Sequence, residues 1–539
     1  MCDTSQPIRR LEELRYEALS NPEAEIRLIR VRPAQSAGDV PRCDLYYAPL
    51  GAAPRYIALS YAWGIQPISS TLAIGGNQYL VNAAAASALQ HLQSKDEEIY
   101  VWIDQICINQ TDAAEKSVQV QQMRRIYSEA SLVVAWLGDT ADSSDLLLGH
   151  LARMGEWLWA AEEDRFLALH RHPDTVRAIA DAFQALCRRE YWQRLWILQE
   201  FAVAANIQIA CGGVQVGVRQ LRAVLEFASD LASNPPPAAT ALEATKESRI
   251  SAAQVRSIIG RCYMTPFTSF MEGVFARRAR YWENQNEGRV EPLFHVLAST
   301  LALEHDYNYP LTSNHVDRIF SVLSLATDAA EFSEFPDYTM TPQQAFTRAA
   351  FRMLQQGHID VLAFSQSPKT HTDLPTWVPD WAMPVKMPCA GPPWRSPFCT
   401  SDPSSLSRQA VRLAELDVLE IRGCLVDEVV ECGGDVWDPE WLQPLDVERA
   451  VAYLNQIREL CEKSRKFSHC DDDEVLAAAA CISAGVPFLG AKLPYIVRGR
   501  GHLTSGHRHF GLIGEAYVFG IMQGELRRSD RLAQTLRIH

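Results

Sequence analysis

Ten consecutive residues, Ile99 to Ile108 (IYVWIDQICI), are almost all β-branched, aromatic or aliphatic. Such a run suits a strand buried on both faces, the position of a central strand in a parallel sheet covered by helices. Similar runs occur at Arg55 to Tyr61 (RYIALSY), Ser131 to Gly138 (SLVVAWLG) and Asn206 to Gly213 (NIQIACGG), and Glu25 to Val31 (EIRLIRV) alternates as a strand does. Thr71 to Val81 (TLAIGGNQYLV) places Gly75, Gly76 and Asn77 between two β-prone runs, as in a hairpin. Helical spacing fills the intervals: Ala83 to Leu92, a helix opened by Asp112 with Glu115 as its third-position acid, Leu146 to Ala160, Thr175 to Arg188, and a helical continuation from Tyr191 (YWQRLWILQEFAVA). Strands separated by helices predict an α/β fold with a doubly wound, mainly parallel sheet. Side chains at the carboxyl ends of its strands then converge on a crevice.

With 539 residues the chain exceeds what one hydrophobic core usually organises. Proline-rich breaks at Ala232 to Thr240 and from Met387 divide it. The expected order is a helical lead-in over 1–24, an α/β domain over 25–215, a mainly helical middle domain over 216–385, a Pro/Ser-rich linker over 386–410 and an α+β region over 411–539. The net charge of -14 argues against nucleic acid, because the arginine clusters at 188–189, 277–280 and 498–500 are small and lie near acids or apolar residues. Thirteen cysteines without a C-x-x-C pair, and an amino terminus without an apolar signal core, predict reduced thiols and a cytoplasmic protein. The most apolar stretch, Val475 to Ala491, is interrupted by Gly485, Pro487 and Gly490, so no membrane span is expected. His502, His507 and His509 cluster without further ligands at metal-site spacing, so neither a metal nor another cofactor is expected.

Ala58 to Gly64 (ALSYAWG), Val101 to Gln110 (VWIDQICINQ), Glu115 to Gly138 (EKSVQVQQMRRIYSEASLVVAWLG) and Arg194 to Glu200 (RLWILQE) follow one another in the order and spacing of the fungal heterokaryon-incompatibility (HET) domain motifs, and the chain resembles that family. Downstream, DRIFSVLSLATD from Asp317, PDY at Pro336, LPTWVPDW from Leu374 and FGLIGEAYVFGIMQGE from Phe510 are similar to the region that often follows such a domain. The likeness weakens between Lys466 and Gly490. The resemblance implies a protein of non-self recognition that triggers programmed cell death, activated through other proteins or self-association.

HET domains are remotely similar to Toll/interleukin-1 receptor domains, some of which cleave NAD through a helix carrying Trp and, four residues on, Glu. Trp196 and Glu200 have that spacing, and residues four apart lie on one helical face. The resemblance therefore implies Glu200 as the catalytic group, facing the crevice at the ends of the strands bearing Ser60 and Asp104, with Ser60, Tyr61, Trp63, Asp104, Arg194 and Trp196 around the substrate. The pyridinium of NAD departs as neutral nicotinamide and needs no general acid, so one carboxylate near the ribose suffices, and aromatic walls hold the pyridinium. A plain reading stands beside this one: Trp196 anchors a core, Arg194 pairs with an acid and Glu200 is a solvated helix residue. Asp104 is a pocket acid or caps the following loop. Cys107, with no histidine in its motif, reads as a buried structural thiol. Two functions remain open, an NAD-cleaving effector and a non-enzymatic adaptor that recruits a death pathway by protein contacts.

Overall fold

The structure, a computed structural model, describes residues 8–36, 40–63, 70–154, 173–233, 266–301, 310–366, 369–385, 411–413, 418–423 and 534–538. The chain forms two compact units, residues 1–301 with 306–345, and residues 302–305 with 346–539. The first unit runs past residue 215, where a boundary was expected. The breaks at 234–240 and 386–410, the divergent stretch 466–490, the apolar segment 475–491 and the histidines at 502–509 lie outside the described residues. Among the described residues no helix is long and apolar enough to cross a membrane.

In the first unit, ten strands form one sheet: β1 (Arg9–Arg10), β2 (Glu25–Val31), β3 (Arg42–Pro49), β4 (Tyr56–Tyr61), β5 (Ser70–Ile74), β6 (Asn77–Val81), β7 (Ile99–Trp102), β8 (Leu132–Trp136), β9 (Ile207–Cys211) and β10 (Val214–Gly217). Their order is β1-β6-β5-β3-β2-β7-β4-β8-β9-β10. The four runs expected to pair do so: β7, β4, β8 and β9 are consecutive, parallel neighbours. Their side chains are buried on both faces, with Ala58, Leu59, Ser60 and Tyr61 at most 1% exposed. The sheet as a whole is mixed, which corrects the mainly parallel expectation. β2 pairs antiparallel with both β3 and β7, β5 with β6, and β9 with β10. Short connections explain the β2–β3, β5–β6 and β9–β10 pairs, since a hairpin reverses a strand where a helical crossover would not; β2 and β7 pair antiparallel although residues 32–98 separate them in the chain. In the β5–β6 turn Gly75 and Gly76 both take positive φ, 56° and 80°, the pairing a two-residue hairpin of primed type requires.

Three local expectations change. The lead-in is a two-residue strand and a 3-10 turn, Leu11–Glu13, with irregular chain before β2. Ile99 to Ile108 is not one strand. β7 stops at Trp102 and a short helix, α2 (Asp104–Cys107), follows α1 (Ala83–Leu92) in the chain. The Asp104 carboxylate accepts the Gln105 N–H at 2.7 Å, a local bond that favours the turn over continued extension. After α3 (Ala113–Glu129), α4 (Ser144–Met154) and α5 (Pro173–Cys187), the segment from Tyr191 is not one helix either. It divides into α6 (Glu190–Gln193) and α7 (Ile197–Val203). Between them Arg194 is extended, at φ -77° and ψ 134°. Leu311 N–H donates to the Gln193 carbonyl at 2.6 Å and Leu195 N–H to the Leu311 carbonyl at 3.2 Å, so a distant segment takes the bonds that a helix would have used.

Beyond β10 the unit continues with α8 (Val218–Ser233), α9 (Pro266–Glu287), α10 (Leu293–Leu301) and α11 (Asp317–Leu323). α9 packs on α7: the Phe201 and Phe275 rings lie 5.1 Å apart, and Arg278 donates to the Phe201 and Ala204 carbonyls at 2.8 and 2.6 Å. This middle region is helical, as expected. The second unit contains most of α12 (Pro342–Gln355) and a small antiparallel sheet of β11 (Val411–Leu413), β12 (Leu419–Gly423) and β13 (Gln534–Ile538).

Candidate functional site

Parallel strands end at the same edge, so residues just past β4 and β7 become neighbours although about forty positions separate them in sequence. Trp63, two residues beyond β4, donates its indole N–H to both Asp104 oxygens, at 3.2 and 3.0 Å. Asp104 is thus both things the sequence allowed, a cap on its own loop and an acid at the crevice. Its carboxyl is raised above the usual carboxylate range by burial, which the Arg194 charge and the Gln105 and Trp63 bonds partly offset. Asn82 holds the Trp63 carbonyl, and Gln105 takes the Asn82 backbone N–H at 3.3 Å and the Tyr61 hydroxyl at 3.5 Å. Arg194 is locked to the Tyr61 carbonyl. Its extended backbone carries the guanidinium to the strand end, where a continuous helix would have aimed it elsewhere.

Trp63, Asp104, Arg194 and Trp196 border a cavity of about 300 Å³, together with Lys116, Gln110, Leu311, Thr312, Asp317 and Tyr338. That size accommodates one ring and its substituent rather than a whole dinucleotide. The cavity carries two cations and two carboxylates between aromatic walls.

Ser60, Tyr61 and Glu200 are placed differently. Successive residues of a strand point to opposite faces, so Ser60 turns toward α6 and α7 while the Tyr61 hydroxyl reaches Gln105. Glu200 is 1% exposed and does not border the cavity. Its Oε2 accepts the Ser60 hydroxyl, and Ser60 Oγ also lies 2.9 Å from the Tyr191 hydroxyl. Tyr127 O–H is directed to the Leu59 carbonyl at 3.1 Å, and among the described residues Glu200 Oε1 has no donor in hydrogen-bond geometry. Burial pushes the Glu200 carboxyl up to about 7 against the opposing Arg194 charge. Trp196 and Glu200 do stand one turn apart, with Glu200 N–H on the Trp196 carbonyl at 3.3 Å, yet of the two only Trp196 borders the cavity. Glu200 is therefore neither at the crevice nor solvated, contrary to both sequence readings.

Sequence reasoning missed Lys116, Thr312, Asp317 and Tyr338. Asp317 and Tyr338 belong to the DRIF and PDY segments, whose family likeness was visible, but no local spacing rule links them to Trp196. Cys107 is fully buried, accepts the Ile103 N–H at 3.3 Å and has its thiol pushed up to about 12 by burial, as a structural cysteine should. Among the described residues Cys43, Cys107, Cys187 and Cys211 are free thiols, and no group of three or more histidine, cysteine or acidic side chains could hold a metal.

Residues 56–200, which span the parallel strands and the residues at their carboxyl ends, match the family described as Heterokaryon incompatibility protein (HET). The chain is similar to Heterokaryon incompatibility protein 6, OR allele, of Neurospora crassa, with 27% identity over 514 residues, covering 84% of this chain and 72% of that protein. No solved structure matches it.

Proposed function

We propose that the chain acts in non-self recognition in the cytoplasm, triggering programmed cell death after other proteins or further copies of itself bring it together, and that its first unit does so by cleaving NAD in a site like that of Toll/interleukin-1 receptor domains. The nicotinamide-ribose end enters the cavity, where Trp63 and Trp196 flank the pyridinium and Asp104 faces the ribose. The N-glycosidic bond breaks with its electron pair leaving on nicotinamide. Water then adds at the ribose carbon and releases one proton. Asp104, rather than Glu200, stabilises the cationic sugar, because it is the carboxylate of the family motifs that borders the cavity. Glu200 supports the site from behind by holding Ser60. The single observation carrying this reading is the cavity itself, at the carboxyl ends of parallel strands with Asp104 and two indoles in its lining.

One feature favours the alternative, a non-enzymatic adaptor that recruits a death pathway: the group implied as catalytic is sealed from solvent. Nicotinamide release by the purified full chain at high concentration separates the two. Asp104→Asn should lower release by about 100-fold, and Glu200→Gln by less than about tenfold, since it touches no substrate. A larger loss from Glu200→Gln than from Asp104→Asn would reverse the assignment. No release from wild type that has demonstrably self-associated would return the adaptor.

A further inference from the structure

One wall of the cavity comes from outside the segment that matches the HET family. Leu311, Thr312, Asp317 and Tyr338 border it, well beyond the end of the match at residue 200. They are not merely adjacent. The backbone bridge between Leu311 and residues 193 to 195 holds Arg194 extended, and so decides where the Arg194 and Trp196 side chains begin. Asp317 opens α11, is 8% exposed, and accepts the Tyr338 hydroxyl at 3.0 Å and the Thr312 hydroxyl at 3.1 Å, while Trp196 borders the same cavity and its side chain helps hold the Asp317 carboxyl down against burial. An indole has one donor, so a bond from it to a buried carboxylate sets the plane of the ring. From the other side, Lys116 of α3 places its ammonium 4.9 Å from the centre of the Tyr338 ring. Trp63 is thus tied back to Asp104 by two hydrogen-bond contacts, and Trp196 stands at the same cavity with Asp317 as its neighbouring carboxylate.

We propose that residues 311–338 are an integral half of the ligand site: Asp317 is a positioning residue that holds the Trp196 indole as a wall, and Tyr338 closes the outer side around a planar heteroaromatic ring. The inference rests on the cavity being the NAD site of the proposed function. A HET segment ending near residue 200 would then hold the motif residues without a complete pocket.

The test uses the full chain labelled with 5-fluorotryptophan, with the Trp63 and Trp196 fluorine signals identified from Trp63→Phe and Trp196→Phe, and NAD as the probe. In the wild type NAD should move both signals. Asp317→Asn should move the Trp196 signal without NAD, leave the Trp63 signal in place, and raise the NAD concentration for half-saturation about tenfold. Tyr338→Leu should do the latter as well, while Tyr338→Phe, which keeps the ring, stays within about twofold. An unchanged Trp196 signal and unchanged half-saturation in Asp317→Asn would overturn the proposal. If that variant does not fold, unchanged half-saturation in Tyr338→Leu does so. NAD moving Trp63 but not Trp196 defeats this wall and leaves the NAD reading standing. NAD moving neither signal removes the NAD reading, and the ligand-free shift in Asp317→Asn then decides whether Asp317 positions Trp196.

Discussion

Glu200 carries its carboxyl at about 7 because it is removed from water, with Ser60 as its hydrogen-bond donor and Arg194 as the nearby opposing charge. In the unfolded chain the same group titrates near the ordinary glutamate value. Between the two values the native state binds more protons than the unfolded state, so stability must fall as pH rises. The contribution is fully present below the unfolded value and lost as pH passes through about 7. The full shift corresponds to roughly 3 kcal/mol. Burial raises Asp104, Asp317 and Glu272 in the same direction, so the difference between wild type and Glu200→Gln isolates the one group. Urea unfolding from about pH 5 to about pH 8 should show wild type losing more stability than Glu200→Gln by roughly 3 kcal/mol. Parallel losses would mean that Glu200 does not change protonation on folding. The i, i+4 spacing of Trp196 and Glu200 was legible in sequence. What covers that turn was not, because α6, β4 and α9 come from separate stretches of chain.

β2 and α3 are joined by a buried ion pair. Arg27, 0% exposed, meets Glu115 through both nitrogens, at 2.5 and 2.9 Å, and lies 4.8 and 5.4 Å from the Tyr16 and Tyr47 ring centres. The sequence identified Asp112 and Glu115 as the cap and third-position acid of α3, and Asp112 does cap the helix, accepting from the Ala114 and Glu115 N–H groups. Glu115, however, turns to Arg27 and to the Asn109 N–H at 2.9 Å. A buried guanidinium without a counter-charge costs far more than one end bond of a helix, so the ion pair wins. Glu115→Gln should therefore destabilise the protein by roughly 3–5 kcal/mol, measured by chemical unfolding. The double variant Arg27→Met with Glu115→Leu should recover most of that loss, because neither partner is then stranded. A single variant no worse than the double would show that the pair is open to water.

For the molecule as a whole, the HET match ends at residue 200 while the compact unit that contains it continues to residue 345. Trp192 and Phe201, fully buried, are covered by Phe275 of α9, and Arg278 satisfies two carbonyls where α7 ends. Each uncovered aromatic gives up roughly 2–3 kcal/mol of burial. A chain ended at residue 233 should consequently lose its sharp thermal transition and bind a hydrophobic dye, whereas the full chain unfolds cooperatively. A cooperative transition in the fragment close to that of the full chain would show that the HET segment folds without α9.

Local pattern sufficed for the strands at the centre of the sheet, for the α1 and α3 helices, for the Gly75–Gly76 turn and for the family likeness, because each depends on residues within one element or on motifs in fixed order. Direction of pairing did not follow from it: β2 has the same alternation whether its neighbour runs with or against it, and only the fold shows it antiparallel to both β3 and β7. Nor did the break at Arg194, since the composition of 191–204 is helical and only Leu311, brought alongside by the fold, competes for its backbone bonds. Residues 311–338 reach the site through contacts with residues 193–196 and Lys116, a closeness that no spacing in the chain encodes and that packing alone supplies.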